Sequence, residues 1–212
     1  MSSVSKRMTR LSPSMTFAMN QKSNELKAKG IDVVNMSLGE PDFDTPEHIK
    51  SAAVQAIGKG YTHYTPVSGA LSLKEAISGK LKKENGLEYD PSEVVVSNGA
   101  KQSICNVIMA LIDEGDEVII PAPYWVSYPQ MVLLAGGTPV HIDASIEQGF
   151  KITPDQLEKA ITPKTRMIIL CSPSNPTGAV YSQQELDALA QVVLRHEDLY
   201  VLSDEIYEHL NY

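Results

Sequence analysis

Three side chains in the last forty residues have the types and spacing to hold a charged heteroaromatic ring: Asn175, Asp204 and Tyr207. Asp204 closes the apolar run Leu199 to Ser203, and the carboxyl ends of strands are where α/β sheets bind ligands. A carboxylate at that point can keep a pyridine nitrogen protonated, which turns the ring into an electron sink. Tyr207 follows three residues later, so a helical turn would bring its hydroxyl back to the same place. Asn175 stands in the turn Ser174-Asn-Pro-Thr-Gly178, after another apolar run, where its amide can donate to a phenolic oxygen. Each residue alone also reads as something ordinary: a loop carboxylate, a half-buried tyrosine, an Asn-Pro turn.

Two further stretches add chemistry. Ser97-Asn-Gly-Ala-Lys101 leads into an apolar helical pattern, so the amides of Gly99, Ala100 and Lys101 fall at a helix N-terminus, where phosphate binds well; a plain strand-to-helix turn has the same pattern. It is neither a P-loop nor a G-x-G-x-x-G fingerprint, which removes the usual support for nucleotide binding. Trp125, the sole tryptophan, follows Pro121-Ala-Pro-Tyr124 and can stack on an aromatic ligand or simply fill core. The histidines His48, His63, His141, His196 and His209 show no metal-ligand spacing, with each other or with Cys105 and Cys171, so no metal is expected. Both cysteines lie in apolar stretches, as reduced buried thiols do, which suggests a reducing compartment.

Alternating strand-like and helix-like segments must position these groups. The pattern predicts helices from Ser12-Pro13 to Lys29, from Thr45-Pro46 toward Ile57, from Gly69 to Glu84, from Ala100 to Ile112 and around Val126 to Ala135. Thr153-Pro-Asp-Gln156 and Ser182-Gln-Gln-Glu185 have capping-box spacing and predict helices Pro154 to Ile161 and Gln183 to Arg195. Strands are predicted at Val33 to Leu38, Glu93 to Ser97, Glu117 to Ile120, Thr138 to Ile142, Arg166 to Cys171 and Leu199 to Ser203. That rhythm defines an α/β domain with a largely parallel sheet flanked by helices. The first forty residues stand apart from it, and the domain is expected to be incomplete at its C-terminal end.

Bulk composition narrows the function classes. With 212 residues, 42% hydrophobic and 21% charged, the chain can build a sizeable core and is not of disordered type. A net charge of -8 with scattered lysines argues against nucleic acid and anionic membranes as partners. No apolar run reaches membrane-span length and none reads as a signal peptide. The first 24 residues hold Lys6, Arg7, Arg10 and Lys22 without an acid, but short basic arms mimic targeting peptides easily, and a cytoplasmic location is expected.

Taken together, Ser37-Leu-Gly-Glu-Pro-Asp-Phe43, Tyr64-Thr-Pro-Val-Ser-Gly69, Ser97-Asn-Gly-Ala-Lys101, Tyr124-Trp-Val-Ser-Tyr128, Ser174-Asn-Pro-Thr-Gly178 and Ser203-Asp-Glu-Ile-Tyr207 resemble, in order, the N-terminal half of the class I pyridoxal-phosphate aminotransferases of fold type I. The likeness is to the bacterial subgroup of aspartate and prephenate aminotransferases. It implies pyridoxal 5'-phosphate as cofactor, with Asp204 at the pyridine nitrogen, Asn175 and Tyr207 at the phenolic oxygen, Trp125 against the ring and Gly99, Ala100 and Lys101 at the phosphate. It implies Asp204 and Tyr207 as the catalytic residues of this stretch. The resemblance further places Gly39 at the substrate α-carboxylate, Lys101 at the distal carboxylate of an acidic substrate, and Trp125 and Asn175 beside the substrate. Tyr64 would reach the phosphate held by the other subunit of a homodimer.

The implied reaction moves an amino group between an acidic amino acid, aspartate or glutamate, and a 2-oxo acid, by ping-pong aldimine and ketimine chemistry. The implied domains are an N-terminal arm with part of a small domain, 1–40, and a truncated cofactor-binding large domain, 41–212. The Schiff-base lysine and substrate arginine of the family fall beyond Tyr207 and have no counterpart in these 212 residues; Ser3-Val-Ser-Lys6 mimics the lysine motif at the wrong end. Activity of the chain alone is therefore doubtful. Two alternatives accompany this reading: a non-catalytic truncated protein that binds the cofactor weakly or pairs with a full-length subunit, and a C–S lyase or cyclopropane-forming synthase of the same fold.

Overall fold

A computed structural model describes residues 4–13, 15–36, 39, 41 and 43–210, and the chain divides into two compact units, Pro13–Ser97 and Asn98–Tyr212 with Met1–Ser12. In the second unit a parallel sheet of four strands has the order β2-β1-β3-β4, with β1 at Glu117–Ala122, β2 at Thr138–Asp143, β3 at Thr165–Cys171 and β4 at Tyr200–Asp204. The central strands read as continuous apolar runs because both of their faces are covered. Val118, Ile119, Ile120, Met167 and Ile168 are completely buried.

Helices α4 (Ala100–Leu111), α5 (Ser127–Ala135), α6 (Pro154–Ala160) and α7 (Gln183–Val193) supply the cover. Side chains alternate across a strand, so neighbours on β1 feed different cores. Val118 and Ile120 join Ile104 and Ile108 of α4 and Met131 and Val132 of α5. Ile119 and Ile168 join Leu157 of α6 and Leu189 and Val192 of α7 on the opposite face. Both expected capping boxes form: Thr153 Oγ1 accepts from the Gln156 N–H at 3.3 Å, and Ser182 Oγ accepts from the Glu185 N–H at 3.3 Å.

The chain leaves β1 toward β2 on one side and returns across β1 to β3 on the other, so the order reverses between β1 and β3. A crevice outside the carboxyl ends of the strands at such a reversal is the usual ligand site of an open α/β sheet. Here that edge carries Ala122, Cys171 and Asp204.

The Pro13–Ser97 unit holds α1 (Met15–Ala28), α2 (Glu47–Gly58) and α3 (Leu71–Lys80), the last running into a π-helical turn, Leu81–Asn85, that stops at Gly86 in the left-handed region. Two predicted strands are not strands. Residues 33–36 make no ladder, and 37 and 38 lie outside the described residues. Residues 94–97 belong to no strand, and Val96 donates a single backbone bond, to the Ser68 carbonyl at 2.9 Å. A valine-rich extended run becomes a strand only beside another strand, and no strand lies along it among the described residues.

Candidate functional site

Asp204 is the last residue of β4 and sits in register with Cys171 of β3, which places its carboxylate at the sheet's carboxyl edge. Only 7% of the residue is exposed. A buried carboxylate requires donors. Oδ2 accepts from the Tyr128 hydroxyl at 2.6 Å, and Oδ1 accepts from the Ile206 N–H at 3.2 Å. Burial, helped by this bond to Asp204, pushes the Tyr128 hydroxyl far above the usual phenol range, so the proton stays on Tyr128 and the direction of donation is settled. Burial also pushes the Cys171 thiol up, and its Sγ donates to the Pro173 carbonyl at 3.3 Å.

Beyond β4 the chain turns over residues 206–209, which brings half-buried Tyr207 to half-buried Asn175. Asn175 Nδ2 donates to the Tyr207 hydroxyl at 3.2 Å. The turn that presents Asn175 is closed by two backbone bonds, Gly178 N–H to the Ser174 carbonyl at 2.8 Å and Ser174 N–H to the Ala179 carbonyl at 2.9 Å. Asn175 and Tyr207 therefore lie on the loops leaving the adjacent strands β3 and β4, and Asp204 at the end of β4.

Gly99 caps α4 with φ 85° and ψ 161°, a conformation that L side chains rarely adopt. Asn98 N–H donates to Gln102 Oε1 at 2.5 Å, closing the loop onto the first turn of the helix. The amides at the start of a helix have no partners within it, so those of Gly99, Ala100 and Lys101 are available to an anion. Lys101 Nζ lies 5.0 Å from the centroid of the Trp125 ring, and that ring meets Tyr128 edge-on at 5.3 Å and 88°. The helix start, the tryptophan and the buried carboxylate are thus joined by a chain of direct contacts.

A cavity of about 20 Å³ is bordered by Tyr124, Tyr128, Cys171, Asn175 and Tyr181. It has room for one water and none for a ring. Among the described residues no group of three or more His, Cys, Asp or Glu side chains is arranged to hold a metal ion. Nor is any helix of the described residues long and apolar enough to cross a membrane.

Gly39 and Tyr64 belong to the other unit, where Gly39 is exposed and Tyr64 fully so. Of the Ser37 to Phe43 motif, Ser37, Leu38, Glu40 and Asp42 lie outside the described residues. One further residue touches these groups: Tyr128, which the sequence carries as the last residue of the Tyr124 to Tyr128 motif but without a role of its own.

A buried carboxylate at the carboxyl edge of a parallel sheet, linked through Tyr128 and Trp125 to the start of a helix with open amides, is a site of the kind α/β domains use to bind ligands. Comparison with known proteins agrees. Residues 31–212 match the model of the aminotransferase class I and II family. The chain is 56% identical over 207 residues to an aspartate/prephenate aminotransferase of Nitrosomonas europaea, covering 98% of this chain and 52% of that protein. An aspartate aminotransferase of Geobacillus stearothermophilus is 52% identical, with 99% of this chain and 53% of that protein covered. The solved Thermus thermophilus aspartate aminotransferase with maleate superposes with a TM-score of 0.96 at 48% identity, over 100% of this chain and 55% of that one.

The chain belongs to the aminotransferase class I and II family and has its fold, a parallel sheet flanked by helices. It spans about half the length of the curated relatives it matches.

Proposed function

We propose that the chain contributes the cofactor-holding half of a pyridoxal 5'-phosphate-dependent aminotransferase that moves an amino group between aspartate or glutamate and a 2-oxo acid. The observation that carries this reading is the buried Asp204 carboxylate at the sheet's carboxyl edge, with Asn175 and Tyr207 on adjoining loops. These groups fit the cofactor. Its pyridine nitrogen needs a buried anion, its phenolic oxygen needs donors, and its phosphate needs free amides.

When bound, the cofactor supplies an electron sink for the charge released at the substrate Cα. The chain's own residues hold and orient it: Asp204 keeps a proton at the ring nitrogen, Asn175 and Tyr207 donate toward the phenolic oxygen, and Trp125 covers the ring. Gly99, Ala100 and Lys101 take the phosphate. Lys101, which lies over Trp125 in a cation–π contact, would also meet the second carboxylate of an acidic substrate. The Thermus relative was solved with maleate, a dicarboxylate, which supports that substrate class.

In the complete protein Gly39 takes the substrate α-carboxylate and Tyr64 serves the phosphate of a partner subunit, so the reading includes a homodimer. Residues 1–40 then form an arm and part of a small domain, and 41–212 the large domain. A cytoplasmic location is part of the same reading, supported by two free cysteines. The test is Asp204→Ala in the full-length protein. Turnover of aspartate with 2-oxoglutarate should fall by about three orders of magnitude or more, as for loss of a group that stabilises transition-state charge. Unchanged turnover sinks the reading.

A further inference from the structure

The least expected polar contact in the molecule is the bond between Tyr128 and Asp204, and it has a use beyond packing. Tyr128 is 2% exposed. Phenylalanine would fill the same space without a polar group to satisfy, whereas a hydroxyl at this depth needs a partner. That partner is the Asp204 carboxylate, at 2.6 Å, a length typical of a hydroxyl donating to an ionised oxygen. With Tyr128 on Oδ2 and the Ile206 amide on Oδ1, the plane of the carboxylate is held from both sides.

Trp125 extends this arrangement toward the ring. It lies just ahead of α5, where its carbonyl accepts from the Tyr128 N–H at 3.1 Å, and the two rings meet edge to face. One side chain therefore touches both the surface proposed to cover a ring and the carboxylate proposed to meet that ring's nitrogen. Nothing else among the contacts described for the site joins the two.

Resting on the proposed function, we infer that Tyr128 is a positioning residue: its hydroxyl sets the plane of Asp204 toward the cofactor's ring nitrogen, while its ring keeps Trp125 in register with that plane. Tyr128 does not touch the reacting atoms. It acts through Asp204, and the hydroxyl is the part that matters.

The experiment uses the full-length protein with added pyridoxal 5'-phosphate and compares wild type, Tyr128→Phe, Tyr128→His and Asp204→Ala. The dissociation constant for the cofactor and the visible circular dichroism of the bound cofactor at saturation are measured beside turnover. Tyr128→Phe should raise the dissociation constant about tenfold, the worth of one hydrogen bond to a charged group, and reduce the dichroism to about half or less. It should lower kcat with little change in KM, since only the orientation of the ring is lost. Tyr128→His keeps an aromatic edge and a donor, and should stay within about threefold of wild type in affinity.

A Tyr128→Phe protein with wild-type affinity and dichroism overturns the inference. So does equal loss in the Phe and His variants, which would reduce Tyr128 to core packing. Should Tyr128→Phe fail to fold, Tyr128→His is read directly against wild type, and a loss of about tenfold in affinity overturns the inference. Asp204→Ala separates the two levels. If it binds cofactor and turns over as wild type does, the proposed function falls and this inference with it. If it loses both while Tyr128→Phe loses neither, only the inference falls.

Discussion

Gly99 shows how much a single backbone angle can carry. Its φ of 85° aims the first amides of α4 outward, and a Cβ there would meet no atom within 4 Å, so only the conformation resists substitution, not crowding. Gly99→Ala should destabilise the unit by about 1–2 kcal/mol, the usual cost of holding an L residue in the left-handed half of the map. Cofactor affinity should fall with it, because relief of the strain turns those amides away. Urea unfolding and cofactor titration on the same variant check both parts, and an unchanged cofactor affinity refutes the role of the loop. Residues of this kind were legible in sequence: Gly99, Asn175, Asp204 and Tyr207 all sit where an apolar run gives way to a turn, and such junctions are local patterns. The role of Tyr128 was not legible: the residue closes the Tyr124 to Tyr128 motif, but its contact is with a carboxylate 76 residues away, and no window of sequence contains both. By periodicity alone it is one more apolar residue on the buried face of α5, which also contributes Met131 and Val132.

The elements follow the same division between local and distant causes. Helix α7 starts where Ser182 and Glu185 satisfy each other's backbone amides, a signal contained within four residues. Glu185 does more than cap. The hydrogen bond from Lys151, ahead of those from the Ser182 backbone and hydroxyl, holds its carboxyl down to about 2, against an ordinary value of 4.5. A carboxyl depressed in the folded state adds stability above its unfolded pKa and loses it as pH falls through the folded one. Glu185→Gln should therefore be less stable than wild type at pH 6, with the gap closing between about pH 4.5 and pH 2. Urea midpoints at stepped pH measure it, and a gap independent of pH would show that the ion pair contributes nothing. The predicted strands at 33–38 and 93–97 failed for the opposite reason. Val94, Val95 and Val96 have strand composition, yet the ladder bonds that define a strand come from a distant neighbour, which composition does not encode. The central strands β1 and β3 were legible because their burial on both faces writes itself as the runs Val118 to Ile120 and Met167 to Leu170.

At the scale of the whole molecule the two units differ in what holds them. Every buried apolar residue described for the chain belongs to the unit with the sheet; in Pro13–Ser97 the described residues include none. Instead Phe17, Val54, Ile57, Tyr64, Val67 and Leu71 are exposed. Helix α2 has apolar positions but no buried face. An apolar surface on that scale calls for a covering partner, and short helices without tertiary burial are marginal in water. Hydrogen exchange on the 212-residue chain should therefore show amides of β1 and β3 strongly protected while α1 and α2 exchange close to the rate of an unstructured chain. Raising the protein concentration should slow exchange in α2 if a second copy covers it. Protection of α2 in a strictly monomeric sample would contradict this account, because it would mean that the helix is held without any apolar burial of its own.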